Sequence, residues 1–152
     1  MKLAEALILR ADIQKWIAQL EGRLSRSAKV QEGEEPPEDP QKLIEDLETW
    51  SRELVRLIQR INRTNSVTPM GERMLSDALA ERDVLKLKYK AYNALINEAS
   101  QRVNRYSLSE VRMVSTVNIA DLQLLLDHLA REHRNLDTQI QALNWQTDLI
   151  EN

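Results

Sequence analysis

The 152 residues hold 21 Lys and Arg against 24 Asp and Glu, a net charge of −3, with two His and no Cys. So even a balance offers no broad basic face for nucleic acid. The missing Cys excludes disulfides, thiolate metal sites and Cys nucleophiles, and two His are too few for a His-rich zinc site.

The length suits one domain, residues 1–152. A charged fraction of 30% with only three Gly favours helix over sheet. The opening stretch "MKLAEALILRADIQKW" is interrupted by Glu5, Arg10 and Asp12. It therefore lacks the unbroken apolar core, about 7–15 residues, of a signal peptide. No stretch approaches the roughly 20 apolar residues of a membrane-spanning helix, and the expected address is cytoplasmic.

In chain order, the spacing of apolar residues predicts a first helix over about 2–27. Leu3, Ala6, Arg10, Ile13, Ile17, Leu20 and Leu24 follow one another in steps of three and four. An acidic, proline-rich loop follows over 28–39, where prolines remove amide donors and glutamates repel one another. Asp39-Pro40 is a cap followed by a proline at the first helical position. It opens a second helix over 40–62 with the seam Leu43, Leu47, Trp50, Leu54, Leu57 and Ile61. The polar run Asn62-Arg63-Thr64-Asn65 is expected to end it, with Asn as a C-terminal cap.

Residues 67–75 read as a short hairpin or extended turn around Gly71. Ser76 is expected to cap a third helix over 76–104, whose seam runs through Ala78, Arg82, Leu85, Tyr89, Tyr92 and Ile96. A second stripe, Val84, Leu87, Ala91 and Ala94, makes this the helix expected to be most buried. Residues 111–117 alternate and are rich in β-branched side chains, which reads as a short strand. Asn118, with Asp121 three residues on, opens the last helix over 119–148.

The expected fold is all-α: an antiparallel up-down four-helix bundle of long helices, with one or two short strand-like segments in the connections. That topology gathers Arg10, Asn62, Arg63, Asn65, Arg82 and Asp83 at one end, with Glu5, Thr64 and Asn144. Arg10 and Arg82 lie on apolar seams, where a guanidinium requires a partner. Asp83, Glu5 and the Asn carbonyls are the expected ones. The structural reading is a polar network closing the bundle end. The functional one is an anion or small-ligand site clamped by Arg63 and Arg82. At the other end the acidic loop faces Arg102, Arg105 and Arg112. An isolated strand at 111–117 would pair with another chain, making Arg112, Val114 and Val117 interface candidates and the protein a homo-oligomer.

Catalytic motifs are missing. His133, in the middle of the last seam, reads as a satisfied core histidine, and no nucleophile pattern or Gly-rich phosphate loop accompanies it. The expectation is a non-enzymatic protein with no metal or cofactor and no identifiable small-molecule partner.

Five segments, "MKLAEALILRADIQ", "RSAKVQEGEEPPEDP", "INRTN", "LSDALAERDVLKLKY" and "YSLSEVRMVSTVN", resemble in order and spacing the bacterial septicolysin family, over Met1 to about Leu149. The matching positions are Gln31 to Pro36, Asn62 to Asn65, Arg82-Asp83, and Tyr106 with Glu110 and Arg112. The resemblance implies a pore-forming, membrane-active cytolysin and assigns no catalytic residue. A membrane partner follows only from that implication.

Overall fold

The computed structural model describes residues 1–101 and 111–151. The chain is all-α, as its composition and periodicity indicate. Its described elements are α1 (Leu3–Arg26), α2 (Pro40–Val67), a two-stranded antiparallel hairpin of β1 (Pro69–Met70) and β2 (Arg73–Met74), α3 (Leu75–Ser100) and α4 (Ile119–Gln146). Two compact units are formed, one from residues 1–76 and 141–152 and the other from residues 77–140.

The first unit is built on α1 packed along α2. The three-and-four spacing of both seams puts Ile13 and Leu20 of α1 and Leu43, Leu57 and Ile61 of α2 in the core. Ridges of such side chains interlock only when two helices run side by side. Trp16 and Trp50 meet across the pair with ring centroids 4.7 Å apart and planes tilted by 56°. Asp39 caps α2 as expected, its carboxylate accepting from the Gln41 amide at 3.0 Å. Of the acidic loop, Glu38 turns inward and takes a forked pair from Arg23, at 2.9 Å to Nε and 2.5 Å to Nη2. Glu32, Glu34 and Glu35 stay exposed. Of the three arginines expected to meet this loop, Arg102 and Arg105 lie outside the described residues and Arg112 is exposed; Arg23 was not among them.

Four expectations are corrected. First, α2 does not end at Asn62 but continues to Val67. The Thr64 hydroxyl donates to the Arg60 carbonyl at 2.8 Å and that of Ser66 to the Arg63 carbonyl at 2.8 Å. These local bonds accompany an unbroken helix through what reads as a stop signal. Second, Ser76 is not a cap. The helix begins one residue earlier at Leu75, which is fully buried and whose amide donates to the Thr68 carbonyl at 2.8 Å. The hairpin feeds directly into α3, so no capping side chain is used. Its turn has Gly71 at φ 66° and Glu72 on the ordinary side, the pattern of a type II′ turn, in which only the first central residue needs positive φ.

Third, residues 111–117 form no strand. The Ser115 hydroxyl bonds locally to Val117, donating to its carbonyl at 2.9 Å and accepting from its amide at 3.3 Å. β-Branched residues mark a strand only where another strand supplies the ladder. Fourth, α3 is not buried on two faces: Val84 and Leu87 are 60% and 66% exposed. The expected extension of this helix to residue 104 lies outside the described residues.

The second unit holds most of α3 and α4, with Ala78, Ile96, Leu126, Leu129 and Ile140 buried. Arg82 of α3 pairs with Asp137 of α4 at 2.9 Å. The cap at the start of α4 forms as read, the Asn118 side chain accepting from the Asp121 amide at 3.1 Å.

Candidate functional site

The six residues expected to form one polar site fall in two units. Arg10, Asn62, Arg63 and Asn65 belong to the first, Arg82 and Asp83 to the second. In the first unit Arg10 and Asn65 are half-buried, while Asn62 and Arg63 are exposed. The Arg63 Nε donates back to the Gln59 carbonyl at 3.4 Å. In the second unit Arg82 takes Asp137 as its partner in place of Asp83 or the residues named beside it. Asp83 is exposed on the next position of the helix. Neighbouring helical positions project about 100° apart, so Asp83 does not share a face with Arg82.

The residue at the centre of the "NRTN" run is Thr64, only 1% exposed. Its hydroxyl donates to the Arg60 carbonyl and accepts from the Ile150 amide at 3.0 Å. Its carbonyl accepts from both the amide and the hydroxyl of Thr68, at 3.0 and 2.7 Å. Arg60 completes the arrangement: its Nε donates to the Ile150 carbonyl at 3.2 Å and its Nη2 pairs with Glu151. The same tail is zipped to the N-terminus. The Leu3 amide donates to the Thr147 carbonyl and the Leu149 amide to the Met1 carbonyl, both at 2.9 Å. Lys2 reaches Asp148 at 2.7 Å. Glu5 accepts from the Lys2 amide at 2.6 Å and so caps α1. The polar end is thus, in large part, a clasp that holds the two chain ends against α2. Its signal in the sequence was a Thr on the α2 seam, three residues beyond Ile61.

Beside the clasp lies a cleft of 420 Å³ in the first unit, floored by Leu9, Ile13, Trp50 and Leu57 and walled by Arg56, Arg60 and Arg63. The three arginines follow one another at i, i+4 and i+7, one edge of the helix. Two of them are already matched by carboxylates, Arg56 by Glu53 at 3.0 Å and Arg60 by Glu151. The cleft's charge is therefore largely cancelled by the chain itself.

Of the interface candidates, Arg112 and Val114 are exposed and Val117 half-buried. The second stripe of α3 is a different surface. Ala80, Val84, Leu87, Ala91 and Ala94 follow in steps of four, three, four and three, and all five are exposed. Acids flank this stripe in the first half of the helix (Glu81, Asp83), lysines in the second (Lys88, Lys90).

Among the described residues, no helix is long and apolar enough to cross a membrane, and no group of three or more acidic or His side chains is placed to hold a metal ion. A comparison with curated proteins finds no match. Among solved structures the chain is similar to a functionally unknown conserved protein from Corynebacterium diphtheriae, at 42% identity over 99% of each chain and a TM-score of 0.92. The septicolysin resemblance is overturned, because neither the structural relative nor the matching family carries that description. The family whose model matches residues 10–149 is described as a family of unknown function, DUF6847, and the chain belongs to it.

Proposed function

We propose that the protein is a non-enzymatic helical assembly module whose α3 pairs with α3 of a second copy, antiparallel and two-fold symmetric. The observation that carries this is the exposed stripe Ala80, Val84, Leu87, Ala91, Ala94. Single exposed apolar residues are ordinary on a protein surface. Five at the four-three spacing of a helix seam are not, because that spacing is the one two helices need to pack along their length. The three alanines let the two helix axes approach closely.

Charge selects the second copy and its direction. In an antiparallel pair Val84 packs on the partner's Leu87, and Ala80 on the partner's Ala91. That register sets Asp83 beside the partner's Lys90 on one flank and Glu81 beside the partner's Lys88 on the other. Two-fold symmetry repeats each pair, so one helix supplies both halves of four flanking attractions. Flanking charges of this kind set partner and orientation more than affinity.

Light scattering on the full chain tests the reading. The expected mass is twice the 17.6 kDa of one chain. Asp83→Lys and Lys90→Asp singly bring like charges together and shift the mass toward one chain. The double variant restores the pair and the doubled mass. A single-chain mass for the unaltered protein at ~0.1 mM, or singles that assemble as well as the double, overturns it.

A further inference from the structure

A second concave site, in the second unit and away from the α3 stripe, is lined by basic side chains that make no ion pair among the described residues. It is a pocket of 270 Å³ lined by Lys86 and Tyr89 of α3 and Ala130, His133 and Arg134 of α4. Lys86 and Tyr89 lie about 100–160° around α3 from Val84 and Leu87. The lining contains no carboxylate. Asp137, one helical turn beyond Arg134, is engaged by Arg82 at 2.9 Å. Among the described residues, Lys86, His133 and Arg134 have no hydrogen bond or ion pair. His133 is therefore not the satisfied core histidine that its seam position suggested. It is half-buried at a pocket wall. This contrasts with the cleft of the first unit, where two of three guanidiniums already hold carboxylates of the same chain.

We propose that this pocket binds a small phosphomonoester. Two permanent positive charges match a phosphate dianion. A guanidinium fork, an ammonium and an imidazole together supply donors in several directions, which suits a tetrahedral group with three terminal oxygens. Tyr89 and Ala130 offer an apolar seat for the organic part. The volume lies just below the roughly 300–1,000 Å³ of sites for drug-sized ligands, which suits a phosphate with a small organic group.

Calorimetry on the full chain at constant ionic strength tests this with inorganic phosphate and phenyl phosphate. Phenyl phosphate is expected to bind, and more tightly than inorganic phosphate. Lys86→Gln and Arg134→Gln alter exposed side chains, and each is expected to weaken binding at least tenfold. Neither is expected to change the mass seen by light scattering, which separates this site from the α3 pairing. No binding of either probe, phenyl phosphate binding no tighter than inorganic phosphate, or binding unchanged in both variants overturns the proposal.

Discussion

Thr64 shows how one side chain can join parts of a sequence that are far apart. Its hydroxyl is a donor within α2 and an acceptor for the tail amide of Ile150. Valine has nearly the same shape without the hydroxyl, so Thr64→Val leaves that amide without a partner. A part-buried donor left unpaired costs about 1–3 kcal/mol. Thr64→Ser keeps both bonds and loses one buried methyl, about 0.8 kcal/mol. The expected order of stability in urea is unaltered protein, then Ser, then Val. Amide exchange at Ile150 is expected to quicken in the Val variant and not in the Ser variant. Equal exchange in the two would mean that the hydroxyl does not hold the tail. The sequence showed Thr64 only as one polar residue among four, because nothing in "NRTN" reveals an acceptor needed by a residue 86 positions away.

At the scale of elements, local signals were reliable where the chemistry is local. Asp39-Pro40 starts α2 and Asn118 starts α4, since a cap needs only its own side chain and an amide two or three residues on. Asp39→Ala is expected to lower stability by about 1 kcal/mol, read as a shifted denaturation midpoint with an unchanged slope. Asp39→Asn, which keeps the acceptor, should recover most of the loss. If Asn and Ala are equally harmful, the carboxylate acts through something other than the cap. Signals failed where a neighbour decides the outcome. Residues 67–75 and 111–117 both looked strand-like. Among the described residues only the first has a partner within reach, a two-residue turn at Gly71-Glu72 that folds β2 back on β1. Ser76 carried a capping signal that α3 does not use, because Leu75 is already held by Thr68.

The molecule as a whole has an acid-sensitive part that can be located. Arg23, by its hydrogen bonds, holds Glu38 below the ordinary carboxylate range, and Glu38 in turn raises the Arg23 guanidinium. Lys2 likewise holds Asp148 down. A carboxylate lowered in the folded state contributes stability that is fully present above its unfolded value, about 4, and is lost as pH falls through the lowered folded value. The raised arginine acts in the opposite sense: its contribution is full below its unfolded value, so it does not change over the acidic range. Both pairs keep substantial contact with solvent, and each is worth little at neutral pH. The expected result is a modest loss of stability as pH falls below about 4, smaller in an Arg23→Gln, Lys2→Gln double variant. An identical acid profile in that variant would place the sensitivity elsewhere.

Periodicity, composition and caps determined that this chain is all-α, roughly where the four described helices lie, and which residues of each make an apolar stripe. These are properties of neighbours along the chain, and a spacing of three and four residues is enough to express them. Partnership was decided only in three dimensions. Arg82 has Asp83 beside it in the sequence, yet it pairs with Asp137 on another helix. The acidic loop could have met several arginines and holds Arg23 through Glu38 alone among its acids. The second stripe of α3 is the clearest case. Its spacing declares an apolar face, and an apolar face is compatible with a core or with a surface awaiting a partner. A helix pattern records what a face is made of but not what covers it, and only the folded chain shows that Val84 and Leu87 are left in solvent.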